Sequence, residues 1–125
     1  MHTDTHQLSQ QMKDCIEACW ACAQICNTCS DDMIGMDHKG DTQLMERCIR
    51  LCRECADICV MSAQWMSRMS PVSAPLCRLC AEVCDLCAEA CEQHAPHHAL
   101  CGPCAQECRQ CADRCRSMAS EAKAA

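Results

Sequence analysis

The stretch CIEACWACAQICNTC, residues 15–29, decides how this chain folds. Its five cysteines are separated by gaps that alternate between four and three residues. This spacing places all of them on one face of an α-helix, at the positions where a helical bundle normally carries leucine. A strand would instead need an alternation with a period of two, which the stretch lacks.

Three later segments repeat the pattern. They are CIRLCRECADIC (48–59), CRLCAEVCDLCAEAC (77–91) and CGPCAQECRQCADRC (101–115). Breaks containing glycine or proline separate the four segments, at 35–40, 70–75 and 95–96. The pattern therefore predicts four helices, over about residues 5–35, 41–69, 74–94 and 98–120.

Short connections between helices favour antiparallel neighbours. We therefore predict an all-α fold, an antiparallel up-down-up-down four-helix bundle with a cysteine-lined core, forming one domain over residues 1–125. Ser73 is expected to cap the third helix, with Pro75 in its first turn. Gly102-Pro103 must lie in the first turn of the fourth helix or kink it.

The composition explains what fills such a core and excludes some classes of protein. The chain has 125 residues with 19 cysteines, but no phenylalanine and no tyrosine. Only three glycines and four prolines are present, too few for a loop-rich secreted disulfide scaffold. Disulfides within a helix are also disfavoured, because the geometry of i,i+3 and i,i+4 side chains suits an S–S bond poorly.

The charge and the N-terminus bound the partners and the compartment. A net charge of −6 gives no reason to expect nucleic acid or an anionic membrane surface as a partner. The polar start MHTDTHQLSQQMKDC has no signal-peptide character, and no run of 18 apolar residues is present. We therefore expect a cytoplasmic protein, in which thiols stay reduced and many cysteines indicate metal.

The cysteines are the candidate metal ligands. They are Cys15, Cys19, Cys22, Cys26, Cys29, Cys48, Cys52, Cys55, Cys59, Cys77, Cys80, Cys84, Cys87, Cys91, Cys101, Cys104, Cys108, Cys111 and Cys115. In a helix, CxxxC sets two sulfurs one turn apart on one face, an arrangement that suits Cu(I), a soft ion that thiolates select.

The charge of buried thiolates indicates how many ions the core would take. One Cu(I) held by an isolated pair of thiolates leaves a net charge of −1, and many such pairs in a low-dielectric core would be prohibitive. If each thiolate bridges two ions, about one Cu(I) per cysteine makes the core neutral. We therefore predict many copper ions per chain.

Other functions stay open at this point. Facing helices could jointly supply four sulfurs, so a thiolate sponge for zinc, cadmium or mercury is one alternative. An iron–sulfur electron carrier is another, although such clusters usually draw their ligands from loops. The chain has no evident catalytic pair, nucleophile–base arrangement or phosphate loop, so we do not expect an enzyme.

The four clusters of CxxxC and CxxC, in a chain poor in aromatics, resemble the bacterial copper storage proteins over about residues 8–118. The resemblance is to the cytosolic branch of that family. It implies Cu(I) storage inside the bundle, assembly as a homotetramer and metal uptake at one open end. Leu79 and Leu86, seven residues apart on the outer face of the third helix, are consistent with a subunit interface.

The two ends of an up-down bundle would differ in chemistry. One end collects His94, His97, Met33, Met36 and Met45, which we take as candidate ligands at the uptake end. The opposite end collects an apolar plug formed by Leu8, Met12, Trp65, Met66, Met69, Val72, Leu76 and Met118. We expect ions to enter at the histidine end.

Overall fold

The computed structural model describes residues 8–36 and 42–124, with side chains up to residue 120. Four helices account for most of this part of the chain: α1 (Gln10–Met33), α2 (Thr42–Ser67), α3 (Ser73–His94) and α4 (Cys101–Ala124). A 3-10 turn, Ala95–His97, lies between the last two helices. The described ranges contain no strand, and the predicted all-α fold is confirmed.

Each helix packs against its two neighbours in the cycle α1–α2–α3–α4. The sulfur contacts give the helix directions. Cys15 lies against Cys115 and Cys29 against Cys101, so α1 and α4 run antiparallel. By the same reasoning α2 and α3 are antiparallel, because Cys48 contacts Cys91 and Cys59 contacts Cys80.

The helix ends mostly lie close to the predicted positions. α1 begins after Ser9, whose hydroxyl accepts a hydrogen bond from the backbone N–H of Met12, and a positive φ of 83° at Gly35 follows its end. Predicted helical residues 5–7 and 41 lie outside the described ranges.

The start of α4 differs from the prediction. It begins at Cys101 rather than at residue 98, because the 3-10 turn is followed by an extended His98 with φ −151° and ψ 122°. Pro103 then falls in the first turn of α4, where the missing N–H costs no helical hydrogen bond.

The predicted cap of α3 is wrong. Val72 occupies the N-cap position and makes no side-chain hydrogen bond, and Ser73 is the first helical residue. The Ser73 hydroxyl is turned into the core and has no hydrogen-bond partner among the described residues. Pro75 does lie in the first turn of α3, as predicted.

Small residues let the helices approach closely beside the cysteines. Six alanines that follow cysteines in the sequence are buried: Ala23, Ala56, Ala81, Ala88, Ala105 and Ala112. No helix in the described part of the chain combines the length and apolar character needed to cross a bilayer. The core is therefore a narrow space between four closely packed helices, filled mainly by sulfur.

Candidate metal-binding core

All nineteen cysteines face the inside of the bundle. Each one is a free thiol, and each is fully buried, with 0% of its surface exposed. The heptad spacing in the sequence is the cause, because residues three and four apart share one face of a helix. The structure thus brings together every cysteine that the sequence singled out.

The sulfurs of α1 and α4 form a ladder along the bundle, which we call the α1–α4 ladder. Sγ–Sγ contacts of 3.6–3.7 Å between the two helices join seven of its nine successive pairs, all except Cys22–Cys111 and Cys29–Cys104. In order from one end to the other, they involve Cys15, Cys115, Cys19, Cys111, Cys22, Cys108, Cys26, Cys104, Cys29 and Cys101. The antiparallel register makes each sulfur fall between two sulfurs of the facing helix.

A second ladder runs between α2 and α3, the α2–α3 ladder. Its Sγ–Sγ contacts measure 3.5–3.8 Å. They involve Cys48, Cys91, Cys52, Cys87, Cys55, Cys84, Cys59 and Cys80. Cys77 continues α3 beyond this ladder and interacts with Cys115 and Cys15 of the other one.

Contacts between the two ladders join them into one network. Cys55 lies 3.7 Å from Cys22, and Cys59 lies 3.8 Å from Cys111. Several groups of four sulfurs lie within 4.8 Å of one another, for example Cys26, Cys52, Cys87 and Cys104. An ion placed anywhere along the core would therefore have several sulfurs within reach, and an ion could pass between groups that share a sulfur.

Hydrogen bonds between paired thiols shift their pKa values in opposite directions. A hydrogen bond with Cys115 lowers the pKa of the Cys111 thiol to about 7, and the same pairing raises the pKa of Cys115. At the other end, the bond with Cys101 lowers the pKa of Cys29 to about 5 and raises the pKa of Cys101. A thiolate in this core is thus stabilised by neighbouring S–H donors, although burial opposes its charge.

Two imidazoles contact the last sulfur of the α1–α4 ladder. The Nδ1 atom of His94 lies 3.3 Å from Cys101 Sγ, and that of His98 lies 3.5 Å from the same sulfur. The Nε2 atom of His98 faces Asp32 Oδ2 at 2.9 Å. Both rings are almost completely buried, whereas the Asp32 side chain is 56% exposed, so a path of polar atoms connects solvent to Cys101.

The other predicted ligands at this end occupy different environments. Met33 is fully buried, Met45 is partly buried against the core, and Met36 is 43% exposed. His97, a candidate ligand at this end, does not face the core, because its side chain is exposed. His97 belongs to the 3-10 turn, which ends the heptad register of α3, and His98 takes the inner position instead.

Neither His98 nor Asp32 is among the candidate ligands taken from the sequence. His98 lies off the heptad stripe, and its carboxylate partner is 66 residues away in the sequence. No local pattern connects two such positions. The signal that the sequence does contain is the pair of neighbouring candidates His94 and His97, which lie with His98 in the HAPHH run at 94–98.

The opposite end is closed by apolar side chains. Met66 is fully buried and Met118 is nearly so, while Met12 and Leu76 pack partly buried against the core. Met69 and Val72, which the sequence also assigned to this plug, are exposed. The two ends of the core are therefore chemically different, with imidazoles at one and thioethers and aliphatic groups at the other.

Solved structures of similar sequence share this architecture. The Cu(I)-bound copper storage protein BsCsp3 is 40% identical, with a TM-score of 0.80; the match covers 88% of this chain and 99% of that one. Apo copper storage protein 3 from Bacillus subtilis is 41% identical over 86% of this chain and 97% of that one, with a TM-score of 0.77.

A third structure is a cytosolic copper storage protein from Streptomyces lividans containing five coppers. It is 32% identical, with a TM-score of 0.79, and the match covers 89% of this chain and 93% of that one. The chain matches none of the curated proteins. The family model described as copper storage protein matches residues 8–120. With its cysteine-filled bundle and this match over nearly the whole sequence, the chain belongs to the copper storage protein family.

Proposed function

We propose that this protein stores Cu(I) along its whole core, with all nineteen cysteine thiolates as ligands. The observation that carries the proposal is the network of sulfurs, in which contacts of 3.5–4.0 Å connect both ladders and Cys29 lies within 4.8 Å of Cys52, Cys91 and Cys104. Thiolates select soft ions, and Cu(I) accepts the two-sulfur coordination that facing and adjacent cysteines offer throughout the bundle.

Electrostatics favours a filled core over a sparsely filled one. The described side chains place no lysine or arginine among the buried residues, so nothing there compensates isolated copper–thiolate anions. Bridging by each sulfur brings the ratio close to one ion per cysteine, at which the core is neutral. The expected capacity is therefore close to 19 ions, the number of cysteines in the chain.

Uptake is proposed at the histidine end. Cys101 is the ladder sulfur that both imidazoles contact, and the exposed Asp32 carboxylate holds His98 from the solvent side. Imidazole binds Cu(I) more weakly than thiolate does, which suits a transfer from solvent into the ladder. Met33 and Met45 could add thioether sulfur from the inner side, whereas the exposed His97 and Met36 would act only at the surface.

We also propose that the protein is cytosolic and forms a homo-oligomer, with a homotetramer as the expected state. The Streptomyces lividans neighbour is described as cytosolic. Leu79 and Leu86 are 50% and 45% exposed on the outer face of α3, and Trp20 is 45% exposed on α1. Light scattering coupled to size exclusion would give the number of chains. A monomer would contradict this part of the proposal.

A general thiolate sponge is the second candidate. Groups such as Cys26, Cys52, Cys87 and Cys104 could hold a tetrahedral ion such as zinc from four helices at once. An iron–sulfur carrier would use similar groups. We expect no enzymatic activity, because the copper storage family is named for binding a metal and the residues of the core are soft metal ligands.

The test is an anaerobic titration of fully reduced protein with Cu(I) against a tight competing chelator, with a parallel Zn(II) titration. We expect about one Cu(I) per cysteine, drawn from the chelator, and weak, low-capacity zinc binding. Saturation at a few copper ions, or preferential zinc binding, would reject the storage proposal. A brown purified protein would indicate an iron–sulfur cluster, since Cu(I) and Zn(II) thiolates are colourless.

A further inference from the structure

Two buried serines end the α2–α3 ladder at the closed end of the bundle. The contacts Cys52–Cys87, Cys55–Cys84 and Cys59–Cys80 keep one antiparallel register. One further step in that register places Ser62 of α2 across from Cys77 of α3. Ser73 lies one turn before Cys77 on the same face of α3.

Neither serine hydroxyl has a hydrogen-bond partner among the described residues. Ser62 is fully buried and Ser73 is 5% exposed, and both Oγ atoms lie away from solvent. A serine inside a helix ordinarily donates to a carbonyl of the preceding turn, as Ser67 does to Ala63 and Ser30 does to Asn27. Ser62 and Ser73 do not, and an unpartnered buried hydroxyl destabilises the fold.

The sulfur of Cys77, at the same end of the core, would be stabilised by hydrogen-bond donors once copper is bound. Cys77 is the first cysteine of α3 and has Cys115 and Cys15 as interacting sulfurs, but no thiol faces it from α2. A sulfur at the end of a copper–thiolate chain bridges fewer ions than one in the middle and keeps more negative charge. Buried negative charge requires donors, and hydrogen bonds to charged groups are the strong ones.

We propose that the hydroxyls of Ser62 and Ser73 donate hydrogen bonds to the Cys77 thiolate in the copper-loaded protein. When Cu(I) reaches this sulfur, the S–H bond breaks, an S–Cu bond forms and the proton leaves to solvent, so the net charge is unchanged. The inference rests on the proposed storage function. It assigns the two serines a positioning role at the last ion of the closed end.

Two Ser→Ala variants, Ser62→Ala and Ser73→Ala, test this through effects of opposite sign. Without copper, each variant should unfold about 3–5 °C higher than the wild type, because it loses an unpartnered buried hydroxyl. With copper, the double variant should bind its weakest-held ion about tenfold less tightly and retain about one ion fewer per chain at a matched chelator concentration.

A cysteine at the same positions gives the complementary measurement. Ser62→Cys places a thiol across from Cys77 and should raise the copper count by about one ion per chain, since each added thiolate adds one ion to a bridged core. The double variant Ser62→Cys with Ser73→Cys should therefore bind about three more copper ions per chain than the double variant Ser62→Ala with Ser73→Ala, a difference that elemental analysis resolves.

Ser30→Ala is the matched control. Ser30 is also buried, but its hydroxyl donates to the carbonyl of Asn27 at 3.1 Å. Its replacement should leave the copper count unchanged and should not raise the unfolding temperature. A crystal structure of the loaded wild type should place both serine Oγ atoms within hydrogen-bond distance of Cys77 Sγ.

The outcomes separate this inference from the proposed function. If the wild type binds close to 19 copper ions but the alanine variants retain as many, the inference alone is overturned. Lower stability of the copper-free alanine variants would overturn it too, since the hydroxyls would then already have a partner such as a buried water. A wild type that saturates at a few ions rejects the storage function itself.

Discussion

The cysteine stripes are followed by different types of residue at the two ends of the bundle. At one end Cys101 lies against His94 and His98, and His98 in turn faces an exposed carboxylate. At the other end Met66 and Met118 are buried above the last cysteines. The cysteine repeat therefore forms a uniform core, and the residues that follow the repeat at each end make the two ends of that core chemically different.

Interrupting both ladders near the histidine end should have the largest effect on copper uptake, and it tests whether ions enter at that end. Replacing Cys26, Cys52, Cys87 and Cys104 by alanine should remove about four ions from the copper count, one per lost thiolate. The remaining ions on the closed side should load far more slowly, because the path from the histidine end is broken.

The time course of copper uptake, followed by ultraviolet thiolate absorption, measures both effects. Circular dichroism of the copper-free variant checks that the bundle still folds despite the cavities left by the lost sulfurs. Rapid filling of all remaining sites would show that ions also enter at the closed end.

The proton balance predicts the next largest effect. Hydrogen bonds with neighbouring thiols raise the pKa of Cys101, Cys115 and other core cysteines, which therefore hold their protons at neutral pH, so each Cu(I) that binds them displaces about one proton. Copper affinity should therefore fall as the pH drops, by about 100-fold per ion between pH 7.5 and 5.5.

Binding at Cys29, whose pKa the hydrogen bond with Cys101 lowers to about 5, should depend less on pH than binding at Cys101, whose pKa is raised. Competition against a chelator of known protonation constants measures this dependence. An affinity that does not change with pH would mean that the thiols are already ionised without copper.

The imidazoles provide a more selective comparison of the two ends. Combining His94→Ala with His98→Ala should slow uptake about tenfold and leave the final copper count unchanged, because the thiolates still hold the ions. The matched control combines Met66→Leu with Met118→Leu at the closed end, where we expect the uptake rate of the wild type. Stopped-flow mixing with a Cu(I) donor measures both variants. If copper uptake slowed equally in both variants, the two ends would not differ in their role in uptake.

A small stabilising change at the histidine end completes the series. Gly102 follows Cys101 in the first turn of α4, and a Cβ there would meet no atom within 4 Å. Gly102→Ala should therefore stabilise the copper-free protein by about 0.5–1 kcal/mol, chiefly by restricting the unfolded chain. Thermal unfolding measures this gain. A loss of stability would indicate that the start of α4 needs the freedom of glycine.

The sequence allowed the fold and the thiol core to be predicted because both depend on one local rule. Gaps of three and four residues put Cys15 to Cys29 on one face of α1, and the same rule buries the cysteines of the other three helices. The rule fails where the helix stops. The four-residue step from Cys101 back to His97 crosses residues 98–100, which are not helical, so His97 does not face the core. Ser73 was assigned to a cap that the backbone places at Val72.

Contacts between residues that are far apart in the sequence could not be predicted from the local spacing either. Asp32 and His98 meet only because α1 ends beside the turn that precedes α4. The unpartnered hydroxyl of Ser62 is likewise a property of the packed core. The sequence could indicate that Ser62 lies on the cysteine stripe, but not that its oxygen would lack a partner.

The regular register of the ladders sets how this kind of container could grow. One heptad lengthens a helix by about 10 Å and carries two stripe positions. A heptad inserted at the middle of all four helices would thus add about eight thiols and leave both ends unchanged. Volume and ligand number would increase in proportion to length, whereas the opening and the plug would need no redesign. In such a fold, capacity and access can change independently of each other.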